Sequence, residues 1–189
     1  MSFVHEADDF EQLLDIVARE TGVAAALVEK DYWVTHVLWA LHQTGLAIWF
    51  KGGTSLSKGL SLIQRFSEDL DLMIEHGSAT GLPKVTSWTS TNKGPVASRQ
   101  AFYDALTAVM KVPSVRVERD QTKIDVQARS ADYLAHYPSA RLGELPSAMS
   151  PFVRLEVGRA RVVPFVARPM SSFVHASTSP GPTRRSQAR

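Results

Sequence analysis

Apolar positions recur at helical spacing early in the chain and at strand spacing later. Phe10, Leu13, Leu14 and Val17 share one helical face, which predicts a helix over 10–20 that Gly22 ends. A longer helix is predicted over 24–42, with Leu27, Val34, Val37, Leu38 and Leu41 as its stripe and Gly45 as its stop. Within it sits the polar and aromatic run Glu29-Lys30-Asp31-Tyr32-Trp33. Residues 46–50 are a short apolar run between Gly45 and Gly52, the pattern of a buried strand. Lys51-Gly52-Gly53-Thr54-Ser55 then turns into a helix predicted over 56–64, with Thr54 or Ser55 as its cap. Residues 68–74 alternate polar and apolar, as a half-buried strand does.

Residues 77–96 read as a loop and 97–111 as a helix with Phe102, Leu106 and Met110 on one face. Two alternating runs, 115–118 and 123–127, predict a hairpin turned by 119–122. A further strand is predicted over 152–157, after a mixed loop. Residues 162–174 fit either state. From Ala176 the chain is Ser, Thr, Pro, Gly and Arg without an apolar anchor. The expectation is therefore one α+β (α/β) domain over 1–175, a mixed sheet flanked by helices, and a disordered basic tail over 176–189.

Composition narrows the chemistry. No Cys is present among the 189 residues, which excludes disulfides, thiolate zinc sites and a cysteine nucleophile. The six His show no paired ligand spacing, and no Gly-x-Ser-x-Gly elbow occurs. No apolar run approaches the length of a membrane span and no signal segment is visible, so a cytoplasmic protein is expected. The net charge is +2, but Arg184, Arg185 and Arg189 lie in the tail; without them 18 basic residues face 19 acidic ones. Charge alone does not argue for nucleic-acid binding.

Two short motifs carry the candidate chemistry. Asp69-Leu70-Asp71 on a strand puts both carboxylates on one face, about 7 Å apart at Cα. Leu70, Leu72 and Ile74 should face the core, so the carboxylates face away from it. Such a pair can clamp hard cations such as Mg²⁺ against phosphate. The turn at Gly52 and Gly53 has little side-chain bulk, so its backbone N–H groups can approach phosphate oxygens. Either motif alone is common. Joined by strand–turn–helix–strand context, they supply what phosphoryl or nucleotidyl transfer requires. A Walker-type loop is excluded, because the stretch from Gly53 to Lys58 lacks the glycine before lysine.

The runs Glu29-Lys30-Asp31-Tyr32-Trp33-Val34, Phe50-Lys51-Gly52-Gly53-Thr54-Ser55-Leu56-Ser57-Lys58 and Arg65-Phe66-Ser67-Glu68-Asp69-Leu70-Asp71-Leu72 resemble the AbiEii/AbiGii toxin family. Those proteins are nucleotidyltransferases of the DNA polymerase β-like superfamily, in toxin–antitoxin and phage-defence modules. The resemblance implies that Asp69 and Asp71 bind two Mg²⁺ ions. It implies that Gly52, Gly53, Thr54 and Ser55 hold the β- and γ-phosphates of a nucleoside triphosphate. One or more of Lys51, Lys58 and Arg65, which flank the turn in sequence, would neutralise its charge, with Lys58 favoured. An acceptor hydroxyl would attack the α-phosphate, and tRNA is the implied acceptor. A cognate antitoxin is an implied partner.

A third carboxylate should complete the site. Glu156 is preferred on the family pattern and Asp125 is the alternative. In the plainer reading, Arg154 pairs with Glu156 and Lys123 with Asp125 at a solvated surface. The interval from Gly53 to Asp69 exceeds that of most polymerase β-like enzymes by about one helical turn, which preserves phase. Many relatives continue into a helical C-terminal region carrying a lysine and an Asp-rich motif, so the domain reads as C-terminally short. Two alternatives follow: a catalytically decayed nucleotide- or RNA-binding domain, and a small-molecule nucleotidyltransferase.

Overall fold

The computed structural model describes residues 2–55, 69–76, 81–159, 172 and 174. Helix α1 spans Phe10–Thr21 and α2 spans Ala25–Gln43. Gly22 ends α1 at a left-handed φ of 72°, and its N–H donates to the Ala18 carbonyl at 2.9 Å. Helix α1 buries a stripe of Phe10, Leu14 and Val17. Helix α2 is buried nearly all round, its charged Glu29, Lys30 and Asp31 included. Strand β1, Ile48–Lys51, runs into a short helical turn α3, Gly52–Thr54. Then follow β2 Asp69–Ile74, α4 Lys93–Val109, β3 Arg116–Arg119, β4 Ser130–His136 and β5 Val153–Gly158.

The five strands form one mixed sheet in the order β1-β2-β5-β4-β3. Among the described residues, only the pair β2–β5 is parallel. This is the expected helix-flanked mixed sheet of an α+β domain with two N-terminal helices. Period-two alternation gives each central strand one apolar face. Leu70, Leu72 and Ile74 of β2, Val153, Leu155 and Val157 of β5, and Ala131, Tyr133 and Ala135 of β4 are all buried. They join α2 (Trp33, Val34, Val37) and α4 (Phe102, Tyr103, Leu106) in one core. Each buried Leu or Val stabilises the fold by about 1.5–3 kcal/mol. The other face carries Asp69, Asp71, Arg154, Glu156 and Asp132, all half-buried.

Three expectations need correction. Strand β3 pairs with β4, not with residues 123–127. That run lies in the β3–β4 connection, where Ile124 and Val126 are exposed. Its alternation imitates a strand without a buried face. Strand β4 itself falls in the stretch read as a mixed loop. Helix α4 begins at Lys93 rather than Ala97. Pro95 sits in its first turn, where a missing N–H breaks no helical bond. The helix predicted over 56–64, Lys58, Arg65 and the tail 176–189 lie outside the described residues.

Candidate active site

Strand β1 delivers the glycine turn directly beside β2. Gly52 has a φ of 74°, a region that L side chains rarely adopt. A Cβ there would also meet Oδ2 of Asp71. Conformation and close approach thus both require glycine at this position. Lys51 pairs with Asp71 across the antiparallel ladder, and its Nζ lies 3.4 Å from Asp71 Oδ1. Ser55 Oγ donates to the Gly52 carbonyl at 2.7 Å and so closes the turn on itself. Gly53 and the backbone of Thr54 continue the same turn.

The parallel pairing of β2 with β5 brings a further carboxylate, Glu156, beside Asp71. Asp71 is in register with Glu156, and Asp69 with Arg154. On the far side of β5, Glu156 is in register with Asp132 of β4. A row therefore crosses the sheet as Lys51, Asp71, Glu156, Asp132, at the roughly 4.8 Å spacing of neighbouring strands. Burial raises the Glu156 carboxyl above its ordinary pKa, and the negative charges of Asp132, Asp71 and Asp69 raise it further.

Asp125 is placed elsewhere. Its carboxylate accepts the backbone N–H of Gln127 at 2.9 Å and of Arg129 at 2.7 Å. Burial acts to raise its pKa, but these hydrogen bonds prevail and hold it below the usual range. The plain pairings of the sequence reading do not form either. Arg154 donates through Nη1 to Asp120 at 2.8 Å and to Asp132 at 3.2 Å, and Lys123 lies 3.6 Å from Asp132. Glu156 has no ion pair among the described residues.

Among the described residues, no three His, Asp or Glu side chains already converge as a ligand set. The donor chemistry still suits a hard divalent cation. Three carboxylates occupy neighbouring positions on one face, and their mutual repulsion is what such a cation relieves.

Sequence reasoning missed Asp132 because β4 went unrecognised, and Asp120 because 119–122 read as a hairpin turn. It also left Lys30 unexplained. Lys30 is fully buried and donates to the carbonyls of Ser150 and Phe152, just before β5. Its neighbour Glu29 accepts from Ser139 Oγ at 2.8 Å and from the Ala140 N–H at 2.7 Å, just after β4. Consecutive charges of α2 thus grip both ends of the connection between the two strands that carry Asp132 and Glu156. A separate cavity of about 320 Å³, lined by His76, Trp88 and Arg159, adjoins Met73 to His76 at the far end of β2 from Asp69.

A row of carboxylates beside a bulk-free glycine turn has the donor set of an enzyme that handles phosphate groups. The family is set by comparison. Residues 37–184 match the family described as nucleotidyl transferase AbiEii toxin, type IV toxin–antitoxin system, and the chain belongs to it. Among solved structures it is similar to MenT4, a nucleotidyltransferase toxin from Mycobacterium tuberculosis H37Rv, at 19% identity and a TM-score of 0.45. That match covers 87% of this chain and 50% of the other, so this chain spans half the length of that structure. No curated protein matches.

Proposed function

We propose that the chain is a Mg²⁺-dependent nucleotidyltransferase that transfers a nucleotide from a nucleoside triphosphate to an RNA acceptor, with tRNA as substrate. Bound Mg²⁺ would supply charge neutralisation for the triphosphate and polarise the reacting oxygens. Asp69, Asp71 and Glu156 are the residues to hold it. The turn Gly52-Gly53-Thr54-Ser55 accepts the β- and γ-phosphates, with Lys51, Lys58 and Arg65 as cations around it. An acceptor hydroxyl forms a bond to the α-phosphorus as the bond to the pyrophosphate oxygen breaks, and its proton passes to Glu156 or to water. A cognate antitoxin is the partner that the family's toxin–antitoxin setting supports. No described helix is long and apolar enough to cross a membrane, and the cytoplasm holds these substrates.

One observation carries this reading. Asp71 packs against Gly52 and stands in register with Glu156, so the turn and two carboxylates meet at one place. The test is incubation of the pure chain with α-labelled nucleoside triphosphates, Mg²⁺ and total tRNA. Label should enter RNA with the natural chain and vanish with Asp69→Ala and Glu156→Gln. Nucleotide binding without transfer would favour a decayed binding domain. Transfer to a small molecule but not to RNA would favour the third reading.

A further inference from the structure

Arg154 stands inside the carboxylate face, yet the proposed chemistry leaves it without a task. Its Cα is the register partner of Asp69, and it precedes Glu156 by one turn of the pleat. Its side chain reaches away from Asp69 towards β4, where it meets Asp132, the register partner of Glu156. One nitrogen, Nη1, takes the bonds to Asp120 and Asp132. The guanidinium lies over the Phe152 ring at 5.5 Å from Cζ to the centroid. The group is thus fixed by Asp132 of β4, by Asp120 just after β3, and from below by Phe152.

Fixation of this kind uses only part of an arginine. The guanidinium has five N–H donors in a rigid fork. Among the described residues, Nε and Nη2 have no hydrogen-bond partner, and neither is among the buried polar atoms left unsatisfied. The side chain keeps 17% of its exposure. A pre-oriented edge of the fork therefore faces outward on the same face as Asp69 and Glu156.

The direction of that edge decides the ligand. Phosphoryl transfer places the attacking and leaving oxygens roughly in line. The leaving pyrophosphate would lie on the Gly52 turn, at the β1 edge of the row. The acceptor must then enter from the other side, over β5 and β4. Arg154 leans to that side, and the exposed Lys123 stands beside it against Asp132. A phosphodiester presents two equivalent oxygens that match the arginine fork.

We propose that Arg154 binds a backbone phosphate of the incoming acceptor strand, next to the nucleotide whose hydroxyl attacks. This rests on the nucleotidyltransferase reading. Arg154→Lys keeps the positive charge facing Asp120 and Asp132 but loses the fork. With total tRNA as acceptor, the KM for tRNA should rise tenfold or more. The KM for the nucleoside triphosphate and kcat should stay within about twofold. Anisotropy of fluorescein-labelled tRNA without nucleotide should show a matching loss of affinity, at an unchanged melting temperature.

An unchanged KM for tRNA, or a rise confined to the nucleotide, overturns the assignment. If the natural chain transfers nothing, the reaction fails while anisotropy still decides Arg154. If Arg154→Lys does not fold, Arg154→Gln with Asp120→Asn removes the buried carboxylate together with its cation, and the same two measurements apply.

Discussion

A methyl group at Gly52 would overlap Oδ2 of Asp71. The clash extends to Cγ and Cβ of Asp71, so the carboxylate itself must shift. Gly52→Ala must also adopt a left-handed φ at a cost of about 1–2 kcal/mol. Nucleotide transfer should fall at least a hundredfold, while far-ultraviolet circular dichroism keeps its shape. Full activity in that variant would separate the turn from the chemistry.

Glu156 should respond to substitution with opposite signs in activity and stability. Its folded pKa is raised, so the folded state binds its proton more tightly than the unfolded chain does. Ionised Glu156 therefore lowers stability above the carboxylate range, and that loss disappears as pH falls through the raised pKa. Glu156→Gln should melt higher than the natural chain at pH 7. The difference should shrink as pH drops into the ordinary range of glutamate. Its transfer activity should be lost at every pH.

Divalent cations should stabilise the folded chain through the same row. A ligand that binds only the folded state, at a hundred times its Kd, adds about 2.7 kcal/mol. Mg²⁺ should raise the melting temperature of the natural chain in a saturable way. It should leave the double variant Asp69→Asn with Asp71→Asn unmoved. An equal shift in both would place the cation elsewhere.

Lys30 is predicted to matter for folding. Lys30→Met would strip the Ser150 and Phe152 carbonyls of a charged donor, and hydrogen bonds to charged groups contribute about 1.5–3 kcal/mol each. Urea unfolding should show a loss of about 2–4 kcal/mol. An unchanged midpoint would mean that α2 does not hold β5 through this side chain.

These residues also mark where the sequence was readable. The run Asp69-Leu70-Asp71-Leu72 alternates cleanly, and each Leu is fully buried as alternation demands. Alternation alone did not separate Glu156 from Asp125, and the preference for Glu156 rested on the family pattern. Strand β4 was hidden because its core positions, Ala131 and Ala135, are small, while Leu134 sits on the polar face. The neighbouring Lys123-Ile124-Asp125-Val126 has the better pattern and no sheet, with Val126 83% exposed. Lys30 and Glu29 gave no local signal, since their partners lie more than a hundred residues along the chain. Helical periodicity describes a face, whereas buried charges in α2 report contacts that only the tertiary fold creates.

The parallel pairing of β2 with β5 also bears on timing. Asp71 and Glu156 belong to strands separated by the whole of α4, β3 and β4. Closing so long a loop is slow relative to hairpins and helices. The antiparallel β3–β4 and β4–β5 pairs are local by comparison and should form first. The acidic row would then be assembled by the last major step of folding. A nascent or half-folded chain would carry Asp69 and Asp71 but lack Glu156 beside them. For the proposed transfer reaction, chemical competence would thus arrive only with the finished sheet.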